Sequence, residues 1–254
     1  MMADWQPAVD TAGNATHEFR LAGPCGRDVT GALWLPGKPG GDTLVCFGHG
    51  ASGDRYQAPI AMLAGRFAGE TGLPVLSLDG PVHGLRQVGE GGRKAFFPEF
   101  QRDDAVRDMT REWNVSIDLV LSRDDVSATR IAYFGLSMGS IFGIPFVGQR
   151  DDVVVATLGL LGAGDGFPHD EEILTAAASI TCPVLYLMQL EDELFSREGY
   201  LRVFDALASG DKRLHANPGL HPEIPAEELD FAFDFMASTI AGDRERGIVN
   251  PLAE

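Results

Sequence analysis

The sequence predicts an α/β protein: a mostly parallel central sheet of about eight strands, with helices on both faces and little or no lid. Three observations carry this. Short unbroken apolar runs recur at residues 43–47, 73–78, 130–134, 153–161 and 183–188. Such runs suit strands buried on both faces of a parallel sheet. Between most of them lie segments whose apolar residues fall three and four apart, the period of a helix. Several runs end in Gly-rich or acidic loops, which puts polar residues at the carboxyl edge where open α/β sheets bind ligands. No repeat, low-complexity tract or linker interrupts the pattern. The expectation is a single domain over residues 1–254, with its core at about 15–241 and a frayed tail at 242–254.

Taken in order, residues 15–22 and 29–36 read as two strands joined by a turn at Pro24-Cys25-Gly26. Alternation in the second puts Thr30, Ala32 and Trp34 on one face. The buried strand 43–47 ends in Gly48-His49-Gly50-Ala51-Ser52-Gly53. Glycines there leave backbone N–H groups able to point inward. His49 reads either as a residue holding this loop or as a contact to substrate. A helix over 57–70 carries Ile60, Leu63, Ala64 and Phe67 on one face, and the strand 73–78 follows. That strand ends in Asp79-Gly80-Pro81-Val82-His83-Gly84, where His83 is a second candidate base or a loop-fixing residue.

Residues 84–104 are the least regular stretch and read as a long loop, which in a compact domain is usually functional or mobile. Phe96, Phe97 and Phe100 either line an acyl or aryl pocket or pin the loop to the core. Arg86, Arg93, Lys94 and Arg102 make the stretch basic; they either meet a substrate carboxylate or form a solvated surface. A helix over 103–122 buries Val106, Met109, Trp113, Ile117 and Val120.

The strand 130–134 leads into Gly135-Leu136-Ser137-Met138-Gly139 and then a helix-compatible stretch to Gly148, which Pro145 should kink or shorten. A serine between two glycines on a strand-to-helix turn is the pattern of a nucleophile elbow. The turn exposes the hydroxyl at a helix N-terminus, where backbone N–H groups favour negative charge. Further on come a strand at 153–161, a short helix at 171–178 and a strand at 183–188 ending in Gln189-Leu190-Glu191-Asp192-Glu193-Leu194. Ser196 reads as the N-cap of a helix bearing Tyr200, Val203, Phe204 and Leu207. An edge strand at 212–215, the loop Gly219-Leu220-His221-Pro222 and a closing helix at 226–240 complete the pattern.

A serine hydroxyl is a poor nucleophile until a base takes its proton, and that base needs an acid to hold its tautomer. Asp192 and His221 both lie at the sheet edge that carries Ser137. Glu191 and Glu193 compete with Asp192 as the acid; His215, His169 and His83 compete with His221 as the base. The backbone N–H groups of Met138 and Ala51 are the expected oxyanion donors. His49, His83, Phe96, Phe97, Phe100 and Arg86 are the candidate substrate contacts.

Composition narrows the partners. Lys and Arg total 20 against 37 Asp and Glu, a net charge of −17. Such a surface repels nucleic acid and anionic membranes. Cys25, Cys46 and Cys182 are far apart and odd in number, so free thiols are expected rather than a disulfide framework. No metal-type Cys/His spacing occurs. No apolar run approaches the ~20 residues that span a bilayer, and residues 1–10 lack a signal-peptide pattern. A cytoplasmic protein acting on a small-molecule ester or amide is the expectation, with a homodimer as the commonest assembly.

Together, the elbow, His49-Gly50-Ala51, the Asp79–Gly84 turn, Leu190-Glu191-Asp192-Glu193-Leu194 and Gly219-Leu220-His221 resemble the α/β-hydrolase superfamily, over about residues 43–240. The short build looks like its small-esterase and dienelactone-hydrolase-like branches, although dienelactone hydrolases carry a cysteine where this chain has Ser137. The resemblance implies a serine hydrolase without metal or cofactor, most often acting on carboxylic esters. An amidase, a peptidase, an acyltransferase or a non-catalytic binding protein on the same fold are the alternatives.

Overall fold

A computed structural model describes residues 3–164 and 166–244. The part of the expected tail at 245–254 lies outside the described residues. The strands in chain order are β1 (Asp4–Val9), β2 (Ala15–Ala22), β3 (Asp28–Trp34), β4 (Thr43–Gly48), β5 (Val75–Leu78), β6 (Arg130–Gly135), β7 (Val153–Gly159), β8 (Val184–Gln189) and β9 (Lys212–Asn217). They form one nine-stranded sheet in the order β1-β2-β3-β5-β4-β6-β7-β8-β9. From β5 outward to β9 every pairing is parallel, while β1, β2 and β3 add an antiparallel flank.

The helices are α1 (Ala58–Arg66), α2 (Gly92–Phe100), α3 (Ala105–Leu121), α4 (Met138–Gly148), α5 (Asp170–Ala177), α6 (Arg197–Ala206) and α7 (Ala226–Ala241). α1 runs on through one wider turn, Phe67–Thr71. Strand residues alternate between two cores. Leu44 and Cys46 of β4 and Ile131 and Tyr133 of β6 face the core built with α2 to α6. Val45, Phe47, Ala132 and Phe134 face the one built with α1 and α7. Period-2 alternation therefore feeds both faces, which is why the central strands read as continuous apolar runs.

Three expectations need correction. Among the described residues the sheet has nine strands rather than about eight, the addition being β1: its sequence, Asp4-Trp5-Gln6-Pro7-Ala8-Val9, is half-exposed and holds a proline. A strand can carry proline at a sheet edge, where a missing donor breaks no ladder, and β1 is the edge strand paired to β2. Second, the stretch 84–104 is a short turn at Gly84–Arg86 followed by α2, rather than a long loop. Phe96 and Phe100 are four apart and buried on one face, while Phe97 is exposed on the other. Gly89, Gly91, Gly92 and Pro98 masked this helical spacing. Third, Pro145 does not shorten α4, which continues to Gly148. The helix is buried along nearly its whole length, and that packing outweighs the hydrogen bond the proline cannot donate.

Candidate active site

Ser137 caps α4 with φ 57° and ψ −118°, a left-handed conformation that costs a non-glycine residue energy. The flanking glycines are required by close approach. A Cβ on Gly135 would lie 2.7 Å from Gly139 O, and one on Gly139 would lie 2.2 Å from Gly48 O. Buried Ser140 ties the elbow to its neighbours: its Oγ accepts the Gly159 N–H at 2.8 Å, with Gly135 O at 2.7 Å and Gly159 O at 2.8 Å as acceptors for its proton. Ser137 N–H donates to Gly159 O at 3.0 Å.

Beside the elbow, His221 Nε2 lies 2.8 Å from Ser137 Oγ, and His221 Nδ1 lies 2.7 Å from Asp192 Oδ2. A neutral imidazole has one N–H. With Nδ1–H donated to the carboxylate, Nε2 is the acceptor that faces the serine. Asp192 is well held: its Oδ1 accepts the N–H groups of Leu194 at 2.7 Å and Phe195 at 3.1 Å, and Tyr200 Oη donates to Oδ2. Burial by itself would raise the Asp192 carboxyl, but the hydrogen bonds from His221, Tyr200 and Leu194 outweigh it and hold the group below the usual carboxylate range.

The rival acids bind the same loop through its backbone. Glu191 accepts Gly219 N–H, and Glu193 accepts His221 N–H at 2.9 Å. Gln189 Nε2 adds a bond to Glu223 O. The rival bases lie elsewhere: His215 Nδ1 meets Glu228 at 2.8 Å, and His169 meets Glu172 and Phe100 O.

His49 and His83 are buried and hold the opposite loop. His49 Nδ1 donates to Gly50 O at 2.8 Å, and Nε2 accepts Gly80 N–H at 2.8 Å. Both bonds need the neutral ring. Burial, with repulsion from His83, pushes this histidine down to about 4. His83 Nδ1 lies 2.7 Å from Pro81 O and Nε2 lies 3.0 Å from Ala51 O. Beneath the two loops, the buried Asp79 carboxylate accepts Thr30 Oγ1 at 2.6 Å and Arg55 Nη1 at 3.0 Å. It also accepts the N–H groups of Arg55 and Leu85 at 3.1 Å. Among the described residues, neither Ala51 N–H nor Met138 N–H is given to a protein acceptor.

A cavity of about 110 Å³ opens over Ser137 and His221, walled by Ala51, Ile60, Phe134, Leu160 and Ile224, with Arg93 at its rim. None of the anticipated substrate contacts lines it. His49 and His83 serve the loop. Phe96 and Phe100 are stacked in the core at 5.4 Å, and Phe97 is exposed. The Arg86 side chain is buried in a paired bond to Glu112, at 2.7 and 3.1 Å, and donates to Asp79 O. Sequence reasoning missed Tyr200, Gln189, Ser140 and the roles of Glu191 and Glu193, since each depends on a side-chain contact that no apolar pattern marks. The helical spacing of Phe96 and Phe100 would have placed Arg93 one turn before them.

No family model and no curated protein matches the chain. Solved structures do. A cold-adapted esterase from an Arctic intertidal metagenomic library is 26% identical, with a TM-score of 0.77 over 94% of this chain and 99% of that one. An acetyl xylan esterase from Paenibacillus sp. R4 is 18% identical, with a TM-score of 0.69 over 94% of this chain and 89% of that one. Est1E from Butyrivibrio proteoclasticus is 17% identical, with a TM-score of 0.64 over 88% of this chain and 99% of that one. The chain belongs to the α/β-hydrolase superfamily. These likenesses do not bear on the dienelactone-hydrolase-like branch. Among the described residues, no helix is long and apolar enough to cross a membrane.

Proposed function

We propose that the chain is a serine hydrolase that cleaves carboxylic esters of small or accessible substrates through an acyl-enzyme on Ser137. The observation that carries this reading is the relay from Ser137 Oγ to His221 Nε2 at 2.8 Å and from His221 Nδ1 to Asp192 at 2.7 Å. Both distances are within hydrogen-bond reach of a nucleophile and its base. His221 Nε2 takes the Ser137 proton as Oγ attacks the acyl carbonyl. The oxyanion accepts the free N–H groups of Met138 and Ala51, each worth about 3 kcal/mol in comparable sites. The tetrahedral intermediate collapses, and His221 returns its proton to the departing alcohol. Water then repeats the sequence on the acyl-enzyme and releases the acid. Asp192 keeps the tautomer and stabilises the imidazolium. The likeness to the cold-adapted esterase, at 26% identity, favours an ester over an amide as substrate.

The test is intact mass after incubation with a fluorophosphonate. Wild type is expected to gain a single adduct and cleave short acyl esters; Ser137→Ala is expected to do neither. An unlabelled wild-type protein that cleaves no ester would sink the reading.

A further inference from the structure

We propose that Arg93 makes the cavity over Ser137 a site for short esters that carry a free carboxylate. This rests on the serine-hydrolase reading and names its substrate class. The chain holds 20 Lys and Arg against 37 Asp and Glu, so a guanidinium has acidic partners in excess. Arg27, Arg55, Arg86, Arg102 and Arg150 all use them in ion pairs. Arg93 does not. It is exposed, and among the described residues it has no ion-pair or hydrogen-bond partner. It is also the only Lys, Arg, Asp or Glu side chain among the described residues lining the cavity.

Its position is fixed from below. Arg93 lies in the first turn of α2, and buried Phe96 and Phe100 anchor that helix to the core. The side chain is thus offered at the rim from a held backbone. A protein of net charge −17 repels an anionic substrate at long range. A permanent cation at the mouth reverses that locally, and the guanidinium fork matches a carboxylate with paired donors. The walls supply the other half of the match. Ile60, Leu160 and Ile224 suit a short apolar stem, and about 110 Å³ limits its length. The chemistry that fits is an ester carbonyl at Ser137, a stem of a few methylenes, and a carboxylate at Arg93.

The experiment compares monomethyl glutarate with its neutral isostere, methyl 5-methylhexanoate, on wild type, Arg93→Gln and Lys94→Gln. Lys94 is exposed and outside the lining. Wild type is expected to favour the anionic ester about tenfold in kcat/KM, as one charge-assisted contact allows. Arg93→Gln should lose that preference through KM, whereas Lys94→Gln should keep it. Equal rates on the two esters in wild type, or an unchanged ratio in Arg93→Gln, overturn the inference if the fluorophosphonate still labels Ser137. Absence of both labelling and ester cleavage overturns the serine-hydrolase reading, and this inference with it.

Discussion

Three consecutive carboxylates, Glu191, Asp192 and Glu193, reach the same loop at different atoms. Asp192 meets the His221 imidazole, whereas Glu191 and Glu193 meet the backbone N–H groups of Gly219 and His221. Only the first contact fixes a tautomer. Asp192→Asn is therefore expected to keep the fold and lose roughly 10⁴-fold in kcat, by the precedent of serine proteases. Glu193→Gln retains an acceptor for the backbone N–H and should lose far less. Kinetics of the two variants on one ester check this, and near-normal activity of Asp192→Asn would move the acid to Glu191 or elsewhere. The sequence offered all three carboxylates at the right edge of the sheet. The choice among them turned on ångström-scale geometry, the approach of Asp192 to His221 and the bond that Tyr200, eight positions on, gives Asp192, which no periodicity reports.

Among the elements, the elbow depends on more than its glycines. Ser140 sits one turn into α4, and its hydroxyl joins the ends of β6 and β7. Removing it leaves the buried Gly159 N–H without a partner. Ser140→Ala should lower unfolding free energy by about 1–3 kcal/mol, read by urea titration; a change within error would show that a water or a shift of β7 replaces the bond. The parallel strands were legible as unbroken apolar runs because both of their faces are buried, and the helices that cover them were legible by their apolar period of 3.6. β1 and α2 were not. In β1, edge placement removes the apolar demand on one side, and Pro7 reads as a breaker. In α2, glycines and Pro98 outweighed the Phe96 and Phe100 spacing. The candidate site followed the same division: Ser137, Asp192 and His221 lie in loops that follow strands and could be read, whereas the contacts that hold them could not.

At the scale of the whole molecule, the loop bearing Ala51 rests on buried titratable groups: His49, His83, Asp79 and Arg55. His49 is pushed down to about 4 by burial, by His83 and despite the opposing pull of Asp79 and Asp54. Its ordinary value is 6.5. The unfolded chain therefore binds a proton between those two values that the folded chain refuses. Stability is full above about 6.5 and declines as pH falls toward 4. Carboxylates held low, such as Asp192, contribute their own loss only at lower pH. Thermal unfolding at pH 7, 5.5 and 4.5 should show a shallower acid decline in His49→Gln than in wild type, and parallel curves would rule this out. The edge proline has a different bearing on the whole. A sheet that ends in a strand can, in principle, keep growing by capturing a strand from a neighbouring copy. Pro7 withholds a donor and puts a rigid ring at the middle of that outer rim. With no N–H at that position, the rim is a poor template for a further strand, on the flank opposite the one that carries the candidate site.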